Sequence, residues 1–274
     1  MNNMDYSVLM SVYAKEKPEY LRQSMQSMFD QTVPTNDFVL VCDGSLTDEL
    51  DKVIYGFKKL YPKILGIIRI KENKGLGIAL NVGLRFCKNE LVARMDSDDI
   101  SRKDRCEKQL AIFENEPDID IVSGTVEEFV DTPRNIIAKR VLPEYHKDIV
   151  NFAKFRSPFN HPCVMFKKSA VMAAGGYRDL KYCEDYYLWV RMIINGARGY
   201  NISEPILRMR SGDDMYKRRG GKIYASNQKK LLRYMYKSRF IIFSEYIINY
   251  TVRMVSCFIP SGSRKTIYQK FLRR

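Results

Sequence analysis

A chain of 274 residues with 45% hydrophobic, 12% aromatic and 28% charged side chains has enough apolar surface to offset its ordering entropy, which excludes global disorder and any scaffold dependent on disulfide staples. Its formal net charge of +14 is confined to one end: residues 208–274 carry 17 basic and 3 acidic side chains, whereas residues 1–207 carry 29 of each. Six scattered cysteines without a CxxC pair, and only two histidines, His146 and His161, leave no zinc-type ligand set by spacing and point to a reducing compartment. The opening MNNMDYSVLMSVYAKEK has no basic stretch ahead of a long apolar one, so no leader peptide is expected and the cytosol is the expected location.

Strand-like apolar runs alternate with amphipathic stretches, the βαβ signature. Residues 6–12 (YSVLMSV) read as a buried strand and 18–30 as a helix with proline at its start. Residues 37–42 (DFVLVC) form a second strand ending at Asp43-Gly44-Ser45. A third strand over 65–70 precedes a helix over 77–87, and a fourth over 90–95 stops at Asp96-Ser97-Asp98-Asp99, ahead of a helix over 102–115. Ligands of open α/β sheets bind outside the carboxyl ends of the strands, where Asp43, Asn73 and the Asp96 cluster fall.

Three carboxylates in four residues repel one another unless a cation or an array of donors neutralises them. Mg²⁺ or Mn²⁺ would suit, since both take oxygen ligands from one or two carboxylates and leave positions for phosphates. The competing assignment is an acidic helix N-terminal cap.

The order of elements resembles the family 2 glycosyltransferases, whose nucleotide-sugar-binding fold is the GT-A sheet. The segments that carry the resemblance are SVLMSVYAKEKPEYLRQSMQSMFDQT, FVLVCDGS, NKGLGIALNVGL, VARMDSDD and NHPCVMFKKSAVMAAGGYRDLKYCEDYYLWVRM, spread over roughly residues 5 to 210. It implies a mostly parallel sheet flanked by helices, with a catalytic region over 1–207 divided near residue 100 into nucleotide-binding and acceptor-binding halves. Residues 208–274 would be a basic helical extension.

Site roles follow from the resemblance. Asp43 would accept the N3 proton of a uracil ring, with Val12 or Tyr13 holding the base; its alternative is a turn residue of Asp-Gly-Ser. Asn73 and Gly75 belong to a loop whose backbone can approach the donor, and Asn81 would face that donor one turn into the helix. Asp96 would bind the donor ribose or sugar and share with Asp98 in holding Mn²⁺ or Mg²⁺. Asp185, beside Glu184 at a helix start, would be the base of an inverting displacement; an acidic helix N-terminus is the alternative. His161 reads as a structural or acceptor-cleft residue. Arg208 and Arg210 would clamp the diphosphate from a mobile loop that Gly212, Gly220 and Gly221 permit. The QxxRW motif of processive synthases is missing, so one sugar per encounter is expected, from a nucleotide-sugar donor to a saccharide on polyprenyl diphosphate.

Two other classes compete. A dinucleotide-dependent oxidoreductase would also show βα units, but GLGIAL over 75–80 lacks the last glycine of GxGxxG and follows the third strand. A nucleic-acid-binding protein would explain the basic, aromatic tail but not the acidic motifs, and no nucleic-acid partner is expected. The tail instead suggests an anionic membrane surface. Residues 240–259 (FIIFSEYIINYTVRMVSCFI) are apolar over most of a helix, with Glu245, Asn249, Arg253 and Ser256 forming one polar stripe. Lys217, Arg218, Arg219, Lys229, Lys230, Arg233, Lys237 and Arg239 precede it, and Arg264, Lys265, Lys270, Arg273 and Arg274 follow it. A peripheral enzyme on the inner face of the cell membrane is expected, the alternatives for the helix being packing on the catalytic region or a homodimer contact.

Overall fold

The computed structural model describes residues 4–212 and 221–258. Strand β1 (Tyr6–Val12) leads into helix α1 (Pro18–Phe29), β2 (Asp37–Asp43), α2 (Asp48–Leu60), β3 (Leu65–Ile70), α3 (Leu76–Phe86) and β4 (Leu91–Asp96). Proline at the start of α1 costs nothing because its missing N–H has no helical partner there. Helix α2 is set by charge and a cap: Thr47 Oγ1 accepts from Leu50 N, acidic residues fill its first turn, and Lys58 and Lys59 its last.

Beyond β4 come β5 (Ile100–Ser101), α4 (Arg105–Asn115), β6 (Ile119–Phe129), β7 (Ile136–Arg140), α5 (His146–Ala153), a 3₁₀ turn at His161–Cys163, β8 (Met165–Lys167), α6 (Lys168–Ala173), α7 (Glu184–Ile194) and β9 (Arg198–Arg210). The helix expected from residue 102 starts at Arg105, because Ile100 and Ser101 pair with Arg208 and Leu207 of β9.

One sheet runs β3-β2-β1-β4-β8-β6-β9-β5, with β7 on β6. Its first four strands are parallel, as βα units require. The rest is mixed: the three-residue β8 runs antiparallel to both β4 and β6, whereas β6 and β9 are parallel. The sheet is therefore continuous across residue 100, and β9 runs on to Arg210.

Period-two alternation divides the core. Val8, Met10, Phe38 and Leu40 enter the layer under α1, α2 and α4, whereas Leu9, Val39 and Val41 enter the layer under α3 and α7. The buried Arg105 ties the middle of the sheet, donating to the carbonyls of Arg94 at 2.6 Å and Val164 at 3.2 Å.

Helices α8 (Gly221–Lys237) and α9 (Phe243–Phe258) form a hairpin whose Leu231, Leu232, Met235 and Ile241 pack on Cys183, Tyr186 and Val190 of the α7 segment. The polar stripe of α9 faces inward. Lys154 Nζ donates to Glu245 at 3.1 Å, Asn249 Nδ2 to Lys154 O at 3.2 Å, and Arg253 to Phe155 O at 2.7 Å and Tyr186 Oη at 3.2 Å. The side chain of Ser256, residues 213–220 with Lys217, Arg218, Arg219 and Gly220, and the basic residues from Arg264 onward lie outside the described residues.

Candidate active site

Strand β4 delivers the acidic cluster. Within VARMD, Arg94 and Asp96 are two residues apart and so share one face; both Arg94 Nη atoms donate to the Asp96 carboxylate, Nη1 at 2.7 Å. Arg94 is 1% exposed. Ligand oxygens of Asp96, Asp98 and Asp99 lie within 4.8 Å of one another. Burial first, then Asp96 and Glu16, pushes the Asp98 carboxyl up to about 7. Asp99 is raised well above its ordinary value by burial and by its two acidic neighbours, although its Oδ1 accepts the Arg210 N–H at 2.8 Å. That bond ties Asp99 to β9 and gives it a role other than capping α4, whose N-terminus makes no side-chain cap bond.

Glu16, in the β1–α1 turn, joins this cluster by accepting from Ser97 Oγ at 2.6 Å. Ser24 Oγ of α1 donates to Asp96 O at 2.6 Å. The ends of β1 and β4 are thereby held together, as the Ser11–Asp96 register requires.

Asp43 ends β2 and is buried; its two oxygens accept from Lys74 N at 2.8 Å and Gly75 N at 2.9 Å, while Asn73 Nδ2 donates to Asp43 O at 3.1 Å. The Asn73 and Gly75 loop is thus lashed to Asp43, and the Lys74 and Gly75 amides expected to approach a donor are engaged within the loop. Gly44 is required there: its φ is +90°, and a Cβ would stand 2.9 Å from Asn73 N. Val12 is 1% exposed and packs in the core, so its side chain is unavailable to a base; Tyr13, just past the strand, is 42% exposed.

Asn81 points elsewhere than expected. Its Nδ2 donates to Tyr177 O at 2.5 Å and its Oδ1 accepts from Tyr177 N at 2.8 Å, so the amide holds the 175–178 segment against α3. Tyr177 Oη pairs with His161 Nε2 at 2.9 Å. His161 stays neutral, its pKa driven well below the ordinary value by burial and by Arg94.

Glu184 and Asp185 open α7, and Cβ atoms of Glu184 and Tyr177 lie 3.6 Å from where a Gly77 Cβ would stand. The first turn of α3 and the acidic start of α7 therefore meet. Burial, then Asp185, pushes the Glu184 carboxyl up to about 7, against the lowering effect of backbone hydrogen bonds from Glu184 and Cys183 and, last, of the Arg94 charge. Arg94, which sequence reasoning missed, thus acts on both acidic groups; its signal was a lone arginine inside an otherwise apolar strand ending in aspartate.

Arg208 and Arg210 lie on β9, which replaces the expected mobile loop. Arg210 stacks on Tyr20, 3.7 Å from the ring centroid, and donates Nε to Asp98 O at 3.1 Å and Nη2 to Gln23 at 2.9 Å. Arg208 stands 3.6 Å from Glu127 and borders an open hollow with Ile100 and Arg102. The structure brings Asp96, Asp98, Asp99, Arg94 and Arg210 together at the end of β4 and sets Glu184 and Tyr177 beside Gly77 of α3; Arg208 is paired with Glu127 instead.

The sequence model described as Glycosyl transferase family 2 matches residues 7–174. The chain is 39% identical over 271 residues to the Escherichia coli UDP-Gal:alpha-D-GlcNAc-diphosphoundecaprenol beta-1,3-galactosyltransferase, covering 98% of this chain and 97% of the relative. It is 35% identical over 265 residues to the amylovoran biosynthesis glycosyltransferase AmsE of Erwinia amylovora, covering 97% and 98%. In fold it is similar to S. aureus TarS in complex with UDP-GlcNAc, with a TM-score of 0.64 at 17% identity, covering 98% of this chain and 72% of that one. It is also similar to the Pyrobaculum calidifontis mannosyltransferase PcManGT in complex with GDP-Man and Mn²⁺, with a TM-score of 0.59 at 17% identity, covering 97% and 84%. The fold is GT-A, and a family match over most of the chain's sheet together with relatives alike along nearly its whole length makes the chain a member of glycosyl transferase family 2.

Proposed function

We propose that this glycosyltransferase moves one sugar from a UDP-sugar, with inversion, onto a saccharide carried on polyprenyl diphosphate, working as a peripheral protein at the inner face of the cell membrane. The observation that carries this is the cluster of Asp96, Asp98 and Asp99 at the end of β4, with Arg94 donating to Asp96 and Arg210 to Asp99 and to the Asp98 carbonyl. The name of the Escherichia coli relative, with its UDP-sugar and lipid diphosphate, supports the substrate classes.

Asp98 and Asp96 suit a divalent cation. Arg94 compensates the charge of Asp96, whereas Asp98 is held above its ordinary range by burial, Asp96 and Glu16, and Asp99 by burial, Asp98 and Asp96, which leaves the cluster short of positive charge. Mn²⁺ or Mg²⁺ bound there supplies a Lewis acid toward the donor's diphosphate. Asp43, with lone pairs beyond the two it shares with Lys74 and Gly75, reads the base. Asp185 takes the proton of the acceptor hydroxyl as that oxygen bonds to the anomeric carbon and the bond from that carbon to the diphosphate oxygen breaks, releasing UDP. A positioned base of this kind contributes about 10²- to 10⁴-fold in rate.

Titration calorimetry with UDP, GDP and dTDP, with Mn²⁺ or with chelator, tests the donor and metal assignments together. UDP is expected to bind best, and at least about tenfold more tightly with Mn²⁺ than with chelator, a difference of about 1.4 kcal/mol. Asp98→Ala is expected to abolish that gain. Equal affinity with and without metal, or an unaffected Asp98→Ala, overturns the proposal.

A further inference from the structure

Helix α9 is built inside out for a water-facing helix. At helical spacing, Phe243, Ile247, Ile248, Val252 and Val255 share its outward side with Ser244 and Thr251, and those five apolar side chains are 45% to 64% exposed. No charged residue lies among them, because Glu245, Asn249 and Arg253 are spent on Lys154, Phe155, Tyr186 and Gln228. A surface helix in water turns its polar residues outward, and a contiguous apolar stripe of this length marks an interaction site. At one end the stripe meets basic and aromatic groups: Tyr236, Lys237, Arg239, Ile242 and Phe243 border one open hollow, with the Tyr236 and Phe243 rings 6.0 Å apart.

We propose that this outward face of α9 is a docking surface for an anionic lipid bilayer, lying flat with its apolar side chains among the acyl chains and Lys237 and Arg239 at the headgroups. Charge selects the occupant. Exposed Lys229, Lys230, Arg233 and Lys237 line α8, a helix without an acidic residue, and residues 208–274 hold 17 basic against 3 acidic side chains. A second copy would bring the same positive charge to the contact, whereas anionic headgroups neutralise it. Over the described residues this helix has 16 residues and spans about 24 Å, against a hydrocarbon core about 30 Å thick, and no helix among the described residues is long and apolar enough to span. The inference rests on the reading that the acceptor is carried on a membrane lipid, and it names the surface that meets that lipid's membrane. Arg253 joins this helix to Tyr186, the neighbour of Asp185, so the docked face and the base share one packed unit.

Flotation of the full chain with vesicles of phosphatidylglycerol and phosphatidylcholine, against phosphatidylcholine alone, tests it. The chain is expected to float with the anionic vesicles, less with the neutral ones and less in high salt. Ile248→Glu with Val252→Glu is expected to lower partitioning at least about tenfold, with the thermal midpoint and UDP affinity unchanged. If the pair lowers the midpoint, Val252→Glu alone serves. A chain that ignores anionic vesicles, or a variant that floats as well as the parent, overturns the inference. So does a parent dimer that the variant splits while flotation is unchanged, which assigns the stripe to a second copy. Failure of UDP to bind while flotation behaves as expected removes the proposed function and leaves the docking surface standing.

Discussion

Glu184 sits at a helix N-terminus, where the helix dipole favours a charged carboxylate by about 0.3–1 kcal/mol. Its carboxyl nevertheless rises from 4.5 to about 7, because burial and Asp185 outweigh the backbone hydrogen bonds at the helix start and the Arg94 charge. A carboxyl whose folded pKa exceeds its unfolded value keeps a proton that the unfolded chain releases, so stability falls as pH rises from 4.5 to about 7 and stays lower above. Glu184→Gln is therefore expected to stabilise the protein by up to about 3 kcal/mol at alkaline pH and by almost nothing below pH about 4, read from urea midpoints in the two buffers. Asp185→Asn, by contrast, is expected to keep UDP affinity and lose about 10²- to 10⁴-fold in transfer, with Glu184→Gln losing less. Equal losses in both would move the base away from Asp185.

Helix α3 connects the donor-side loop to the acidic start of α7, and its closeness to the sheet decides whether they meet. Gly83 permits the approach: a Cβ there would stand 2.4 Å from Leu9 Cδ1 and 2.6 Å from Val41 Cγ2, both buried in the sheet. Gly83→Ala gains helix propensity but overpacks the core, and the larger effect wins. We expect a loss of about 1–3 kcal/mol by denaturant titration, with weaker UDP binding if α3 is pushed off β1 and β2. Helix α7 is fixed at its other contact by Arg191, which donates to the carbonyls of Ala174 and Gly176 and so holds the segment leading to Tyr177.

The helical hairpin of α8 and α9 is part of the folded body, docked through a polar seam and an aromatic cluster on α7. Arg253→Met keeps much of the side-chain bulk but leaves Phe155 O and Gln228 without their donor. This is expected to cost about 1–3 kcal/mol in a denaturant melt while leaving UDP affinity within about twofold, since additivity holds for separated sites. A large fall in UDP affinity would show that the hairpin does more than buttress α7.

How much of this was legible beforehand follows from which interactions are local. The alternation of apolar runs and amphipathic stretches, the proline start of α1 and the acidic end of β4 depend on near neighbours, and they placed β1, β2, β3, β4, α1 and α3 to within a few residues. The start of α4 did not follow, because Ile100 and Ser101 are claimed by β9, more than 100 residues later. Arg210 at the acidic cluster and Asn81 on the Tyr177 backbone also rest on contacts distant in sequence. The stripe on α9 shows the division most plainly. Its spacing is written in the sequence, but which side turns to water depends on whether Lys154, Phe155 and Tyr186 offer partners for the polar side. Packing alone decides that, because a helix carries both faces and only its neighbours choose between them.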